Sequence, residues 1–282
     1  MDYLDATQQG SDVVINKIKN FSLAETLDCG QCFRWQPDGY GFIGIAHGRQ
    51  LHICMDEGNL IFRDTSLEEF ESTWKDYFDL GWDYSQIKSL YSADPHLAKA
   101  VAFSPGLRVL RQDPWETLIT FILSQNSNIP RIKKMVLELC VQFGEAIPTG
   151  GRTFPTPEAL ASLSPEALAP VKTGYRAPYI LDAARQVAEG KICLVSLADK
   201  PTEELMKNLL TIHGVGPKVA ECVSLFGYGR VEVCPMDVWI KRVMHTLYPK
   251  GLPKEFLATA GIAQQYLFHY VRNYPEVLTP LS

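Results

Sequence analysis

A glycine-containing turn between two apolar helices constrains this chain more than any other stretch of its sequence. The turn is His213-Gly214-Val215-Gly216, and Pro217 follows it at the first position of the second helix. Proline suits that position because its fixed φ is helical and the first helical N–H has no partner within the helix. The glycines allow a tight turn and leave backbone N–H groups at the positive end of the helix dipole. The stretch therefore predicts a helix–turn–helix unit that binds phosphate through its backbone.

Two polar residues near this turn are candidates for chemistry. Lys218 lies in the first turn of the second helix, and Asp237 stands nineteen residues later, before another apolar-periodic segment. Cys222 follows Lys218 by four residues and shares its helix face. Each polar residue also has a structural interpretation, Lys218 as a solvated lysine and Asp237 as a helix N-cap. The combined spacing favours a functional site over these separate interpretations.

Composition limits the class of protein. The 282 residues are 46% hydrophobic, which suits a globular chain of two or three lobes. No run of about 18 apolar residues is present and residues 1–20 are polar, so we expect neither a membrane span nor a signal peptide. Seven irregularly spaced cysteines favour free thiols in a reducing compartment, and no second pair or histidine cluster completes a metal site.

The net charge of −5 is distributed unevenly. Residues 1–105 carry 8 basic and 16 acidic side chains, a charge of −8. Residues 106–282 carry 19 basic and 16 acidic side chains, a charge of +3. Affinity for nucleic acid depends on local phosphate contacts rather than on whole-chain charge. The charge pattern therefore neither supports nor excludes a nucleic-acid ligand.

Strand patterns dominate the first part of the chain and helical patterns the rest. Residues 12–64 contain extended apolar segments separated by turns rich in glycine, proline and aspartate. Phe70, Trp74 and Phe78 then recur at helical spacing, which is typical of core positions. We therefore predict an α+β protein: an N-terminal antiparallel β-sheet domain with helices at residues 1–105, followed by a mostly α-helical region at residues 106–282.

The turn with Lys218, together with Pro235-Met236-Asp237-Val238, resembles the helix–hairpin–helix motif and following Gly/Pro–Asp region of the base-excision DNA glycosylases (HhH-GPD superfamily). Among these, the chain most resembles the 8-oxoguanine DNA glycosylases. The resemblance implies a bifunctional glycosylase and AP lyase that excises 8-oxoguanine opposite cytosine from duplex DNA. It makes Lys218 the nucleophile and gives Asp237 the stabilisation of positive charge on the sugar. It also makes the turn from His213 to Gly216 a DNA-binding element.

Matches elsewhere in the chain suggest a pocket for the damaged base. The resemblance implies that the Gly30 carbonyl accepts the N7–H of 8-oxoguanine, a proton that guanine lacks. Because one buried hydrogen bond discriminates strongly, this contact would select the lesion. Gln264 and Phe268 would meet the Watson–Crick edge and one face of the base, and Cys222 the other face. Singly, Gly30 is also an ordinary turn glycine and Phe268 an ordinary core aromatic; their joint match favours the pocket.

Two further matches concern the DNA around the lesion. The resemblance implies that Asn126 enters the gap left by the flipped nucleotide and that Tyr175 wedges between base pairs. Arg131 and Arg176 would donate to the orphaned cytosine, and planar guanidinium groups suit paired acceptors on a base edge. Without the resemblance, Asn126 would be assigned to an ordinary loop between two helices.

The chain departs from the family pattern in two regions. Ser127 interrupts a run of asparagines and Pro130 stands where a small residue is commoner, so the cytosine contact is open in detail. Trp239 replaces a histidine two residues after the catalytic aspartate, and Val271 replaces an acid three residues after the pocket phenylalanine. The second change leaves open how this region holds phosphate.

The resemblance also implies the surroundings in which the chain acts. We expect no metal or organic cofactor, and the lack of cysteines after Cys234 predicts no iron–sulfur cluster. The expected partner is double-stranded DNA containing 8-oxoguanine, bound by a monomer inside the cell, in the cytoplasm or nucleoid or in a nucleus. Two alternatives remain, a monofunctional alkylated-base glycosylase and a non-catalytic DNA-binding module. Lys218 argues against both, since neither needs a nucleophilic amine.

Overall fold

The chain folds into an antiparallel sheet followed by a largely helical region, in a computed structural model that describes residues 1–278. The strands are β1 (Ala6–Gln9), β2 (Asp12–Ile15), β3 (Trp35–Pro37), β4 (Gly41–Ala46), β5 (Arg49–Asp56) and β6 (Asn59–Phe62). They form one antiparallel sheet in the order β1-β2-β6-β5-β4-β3. This arrangement confirms the predicted α+β class.

Helices make up most of the remaining chain. The α-helices are α1 (Leu23–Leu27), α2 (Leu67–Glu69), α3 (Lys75–Tyr77), α4 (Tyr84–Tyr91), α5 (Pro95–Phe103), α6 (Pro114–Ser124), α7 (Ile129–Phe143), α8 (Pro157–Ala161), α9 (Ala177–Ala188), α10 (Leu194–Leu197), α11 (Thr202–Leu209), α12 (Pro217–Tyr228), α13 (Val238–Thr246) and α14 (Ala260–Asn273). A π-helical segment spans Phe70–Trp74, and 3₁₀ segments span Pro165–Val171, Gly174–Arg176, Lys254–Thr259 and Pro275–Leu278. No helix within residues 1–278 is long and apolar enough to cross a membrane.

The sheet packs over its own aromatic core. Phe70, Trp74 and Phe78 are each 0% exposed and pack against the inward faces of the strands, as their helical spacing predicts. The Trp35 indole donates from Nε1 to Tyr77 Oη at 2.8 Å, which satisfies its polar group inside this core.

A second core joins the helices on both sides of residue 105. Tyr84, Tyr91 and Leu97, from α4 and α5, are fully buried in it. Tyr91 donates to the Thr259 carbonyl at 2.8 Å, close to the start of α14. Helices that precede residue 105 thus pack with helices near the end of the described chain. The division of the chain at residue 105 stays a prediction.

Candidate active site and nucleic-acid interface

The predicted turn connects α11 to α12. Gly214 has a φ of +81°, and an added Cβ would overlap the ring of Tyr179, so only glycine fits there. Gly216 precedes α12 and supplies no side-chain cap. Within residues 1–278, the backbone N–H groups of Gly214 and Gly216 donate no hydrogen bond to a protein acceptor. These groups are available to an anion at the positive end of α12.

The flanks of the turn are held by side chains of α9. The His213 N–H donates to Asp182 Oδ2 at 2.9 Å, and its ring meets the Tyr179 ring edge-on with centroids 4.8 Å apart. Val215 is buried at 6% exposure and anchors the turn to the helical core.

Lys218 and five other predicted residues line one cavity of about 360 Å³. They come from the loop after α1 and from α12, α13 and α14: Gly30, Lys218, Cys222, Asp237, Gln264 and Phe268. The volume lies in the range of small-ligand pockets.

The amine of Lys218 is half-buried beside the aromatic wall of this cavity. Its Nζ lies 3.2 Å from Ser124 Oγ and 4.9 Å from the centre of the Phe121 ring. Neither neighbour is an acid, and within residues 1–278 the amine makes no ion pair. Ser124 begins the stretch that carries Asn126 and Arg131, but the sequence assigned no role to it or to Phe121.

Asp237 is both a helix N-cap and a candidate catalytic carboxylate. Its Oδ1 accepts from the Ile240 N–H at 2.8 Å, which makes it the N-cap of α13. Burial raises the pKa of Asp237, while the Ile240 N–H and the charge of Lys218 oppose that rise. Glu221, which the sequence did not single out, accepts from the Met236 N–H at 2.9 Å and holds the chain just before Asp237.

Two buried side chains of the cavity lining, those of Cys222 and Gln264, are uncharged. Cys222 is buried, and burial raises the pKa of its thiol to about 11, so it stays neutral near Lys218. Gln264 is 4% exposed, and its Oε1 has no hydrogen-bond partner within the described residues. A buried unpaired amide oxygen in a cavity is costly unless a ligand donates to it.

Gly30 lines the same cavity, on a loop that the buried Gln31 amide holds in place. Its φ of +90° lies in the left-handed region, and an added Cβ would lie 2.7 Å from Ile129 Cδ1 and 3.4 Å from Phe268 Cε1. The Gln31 side chain donates to the carbonyls of Thr26 and Arg108 at 2.8 and 2.7 Å. These supports span distant parts of the chain and give no signal in the sequence.

The residues Asn126, Arg131 and Tyr175, predicted to contact the DNA around the lesion, are exposed. Asn126 is exposed with a φ of +47°, a left-handed conformation that asparagine tolerates. Arg131 is exposed, and its guanidinium makes no hydrogen bond or ion pair within residues 1–278. Tyr175 is 52% exposed.

Arg176 is arranged differently, being only 2% exposed. Its guanidinium donates from Nε and Nη2 to the Gln125 carbonyl, from Nη2 to the Asn126 carbonyl and from Nη1 to the Thr173 carbonyl. Most of its donors are therefore bound to the loop that carries Asn126.

Trp239 and Val271, which stand where the family has a histidine and an acid, are both apolar and packed. Val271 is 0% exposed in the core, and Trp239 lines the cavity with the Arg242 guanidinium carbon 5.2 Å from its ring centre. The seven cysteines are free, and within residues 1–278 no three His, Cys, Asp or Glu side chains cluster as a metal site.

Comparisons with known proteins cover most of the chain. Residues 13–118 match the family described as 8-oxoguanine DNA glycosylase, N-terminal domain, and residues 119–255 match the HhH-GPD superfamily of base excision DNA repair proteins. An N-glycosylase/DNA lyase of Saccharomyces cerevisiae is 34% identical over 285 residues, which cover 87% of this chain and 73% of that protein.

Solved structures agree over nearly the whole length. MBOgg1 in complex with a low-affinity DNA ligand is 44% identical, with a TM-score of 0.91 over 98% of this chain and 100% of that one. The Clostridium acetobutylicum 8-oxoguanine glycosylase/lyase, bound to double-stranded DNA with cytosine opposite 8-oxoguanine, is 34% identical, with a TM-score of 0.92 over 98% and 100% of the two chains. The protein therefore belongs to the 8-oxoguanine DNA glycosylases of the HhH-GPD superfamily.

Proposed function

We propose that this protein excises 8-oxoguanine opposite cytosine from duplex DNA and then nicks the strand at the resulting abasic site. The observation that carries the proposal is one shared cavity. Lys218, the candidate nucleophile, and Asp237, the candidate catalytic carboxylate, line it together with the four base-binding candidates. A base inside a duplex cannot reach such a cavity, so the nucleotide must flip out at a cost of a few kcal/mol.

Lys218 performs the bond exchange in this proposal. Its Nζ lone pair attacks C1′ of the deoxyribose, and the electrons of the C1′–N9 bond leave with the base, which takes up a proton. The amine loses a proton and the sugar ring opens to a Schiff base. Loss of a C2′ proton then expels the 3′ phosphate by cleavage of the C3′–O bond, which nicks the strand.

The ionised form of Asp237 and the neutral form of Cys222 suit their separate roles in base excision. The ionised Asp237 carboxylate stabilises the positive charge that develops on the sugar as the base leaves. The neutral Cys222 thiol packs on one face of the base and Phe268 on the other. Gln264 receives the Watson–Crick edge, which supplies N–H donors to its unpaired Oε1.

Selection of the oxidised base rests on Gly30 in this proposal. Its carbonyl receives no hydrogen bond within residues 1–278, and the residue lines the cavity, where an added Cβ would lie 3.4 Å from Phe268 Cε1. An acceptor there attracts the N7–H of 8-oxoguanine and repels the N7 lone pair of guanine.

The surface residues hold the distorted duplex. The free N–H groups of Gly214 and Gly216 bind a backbone phosphate, Asn126 fills the gap, and Tyr175 wedges beside it. Arg131 donates to the stranded cytosine. Arg176 holds the loop through the Gln125 and Asn126 carbonyls, and the second-donor role that the resemblance implies would require Nη2 to exchange the Asn126 carbonyl for the base. We further propose that the chain acts as a monomer inside the cell, without metal or cofactor.

A single gel assay separates this proposal from the alternatives. A duplex with one 8-oxoguanine opposite cytosine is incubated with the protein, with and without borohydride, and the products are resolved under denaturing conditions. The proposal expects nicked DNA, and a covalent complex under borohydride. Base release without nicking or trapping would indicate a monofunctional glycosylase, and binding alone would indicate a non-catalytic module.

A further inference from the structure

A cation that no motif singles out lines the same cavity. Arg272 lines it with Gln264 and Phe268, and the three stand at four-residue intervals on one face of α14. The Arg272 guanidinium carbon lies 5.2 Å from the centre of the Phe268 ring. Its Nη1 lies 3.3 Å from the position that a Cβ on Gly30 would take.

The Arg272 guanidinium has no hydrogen-bond acceptor in the described part of the chain. Although the residue is half-buried, it makes no ion pair or hydrogen bond with protein within residues 1–278. A charge removed from water without a partner is unfavourable. An acceptor supplied by a ligand in the cavity would offset that cost.

The order of residues along α14 indicates which part of a bound base Arg272 meets. Eight residues of helix separate it from Gln264, a rise of about 12 Å, with Phe268 between them. In the proposed function, Gln264 meets the Watson–Crick edge and Phe268 covers the ring. The opposite end of a purine is C8, next to the N7 that Gly30 faces.

We propose that Arg272 is a further base-contact residue, whose guanidinium donates to the C8 oxygen of the flipped 8-oxoguanine. The inference rests on the proposed function, because it uses the orientation of the base assigned there. The Gly30 carbonyl and the Arg272 N–H groups then form an acceptor and a donor side by side. They match the adjacent N7–H and C8=O of the lesion, whereas guanine presents a lone pair and a C–H at the same places.

The test compares two substrates with one variant. Arg272→Met keeps an unbranched apolar stem but loses every donor. We expect its single-turnover excision of 8-oxoguanine opposite cytosine to fall about 10- to 100-fold, the range of a lost charge-assisted hydrogen bond. Nicking of a preformed abasic site opposite cytosine, which has no base to contact, should change less than about twofold. An equal fall on both substrates would assign Arg272 to the DNA backbone, and no fall on either would remove it from the site; both results overturn the inference.

A double-mutant cycle excludes an indirect effect through Phe268. If Arg272 only orients the aromatic ring, Arg272→Met should have no further effect in a Phe268→Leu background. A direct contact with the C8 oxygen predicts that the same fold-loss persists there. Arg272→Lys has a compact ammonium charge instead of a planar guanidinium group, and it should recover part of the excision rate. Thermal unfolding checks that each variant is folded.

The wild-type reaction separates failure of this inference from failure of the proposed function. If the wild-type protein neither excises 8-oxoguanine nor is trapped by borohydride, the proposed function fails. If it does both and Arg272→Met is indistinguishable from it, only the role of Arg272 fails.

Discussion

The Arg176 Nε donates to the Gln125 carbonyl at 2.9 Å, and this bond ties the loop that carries Asn126 to the segment that carries Tyr175. Gln125 extends the connection, since its Nε2 donates to the Gly214 carbonyl at 3.1 Å. Backbone carbonyls thereby link Asn126, the gap-filling candidate, to Tyr175, the wedge candidate, and to the phosphate-binding turn that contains Gly214. A cation at this junction can position all three elements at once.

This junction predicts different consequences for the two candidate cytosine readers. Arg131 is exposed and unpaired within the described residues, so Arg131→Ala should relax discrimination for cytosine by about 1–3 kcal/mol. Arg176→Ala should instead lower excision opposite all four bases and lower the thermal stability, because buried carbonyls lose their donors. Single-turnover rates against the four opposite bases measure both effects.

Lys134→Ala, an exposed lysine one turn along α7 from Arg131, controls for loss of charge. It should leave the ratio among opposite bases unchanged. If Arg176→Ala relaxed cytosine discrimination as much as Arg131→Ala does, its donors would have to leave the loop for the base in the complex.

Removal of the candidate nucleophile should abolish chemistry but not binding. Lys218→Gln is expected to release no base and to give no borohydride-trapped complex, while a gel-shift assay still shows DNA binding. Only the amine is lost, and its contacts are a hydroxyl and an aromatic ring. Lys241→Gln, an exposed lysine on the adjacent α13, is the matched control and should still be trapped. Trapping of Lys218→Gln at the wild-type level would show that another amine reacts.

A methyl group on Gly30 should enter the cavity. Gly30→Ala combines a left-handed φ of +90° with a contact 2.7 Å from Ile129 Cδ1, so it should lower both stability and 8-oxoguanine excision. The strain alone costs about 1–2 kcal/mol. Gly39→Ala is the matched control, because its φ is +93° and an added Cβ meets no atom of residues 1–278 within 4 Å.

Excision rates and denaturation midpoints for the two glycine variants give the comparison. Both should lose similar stability from the backbone, and only Gly30→Ala should lose excision. Wild-type excision by a folded Gly30→Ala protein would place recognition of N7 elsewhere.

The turn before α12 offers a second glycine comparison. Gly214→Ala should be strongly destabilising and should weaken DNA binding, since an added Cβ would overlap the Tyr179 ring. Gly190→Ala has a similar φ of +71° with open space around the added Cβ, and it should cost only the backbone strain. Equal unfolding midpoints for the two variants would contradict the role of Tyr179 packing in shaping the turn.

The charge state of Asp237 predicts the acidic limit of base excision. Burial raises the pKa of this carboxyl, and the proposed mechanism needs its ionised form. The rate should therefore be full at higher pH and fall as the pH drops through a value above the usual aspartate pKa of about 3.9. Single-turnover rates from neutral to acidic pH, with circular dichroism as a check on folding, measure this limb. Asp237→Asn should be slow at every pH and should show no further fall in rate at acidic pH. A fall that persists in that variant would assign the titration to another group.

Local features of the fold could be predicted because their causes lie within a few residues. Pro217 opens α12 and Asp237 caps α13 through contacts within one turn, and the helical spacing of Phe70, Trp74 and Phe78 is itself a local pattern that puts them on one face. The roles of these and other site residues came from family resemblance, since the residue types alone left Lys218 and Asp237 with structural alternatives.

The sequence by itself determined the α+β class, the hairpin and the spacing of Lys218 from Asp237, since turn, cap and periodicity signals act locally. Only the tertiary structure decided that Gly30 and Phe268, 238 residues apart, meet in one wall of the cavity. It also decided that Arg176 turns inward to the Gln125 carbonyl while Arg272 stands unpaired beside Phe268. The direction of a long charged side chain depends on which acceptors packing brings within reach, and those acceptors lie on other elements of the fold.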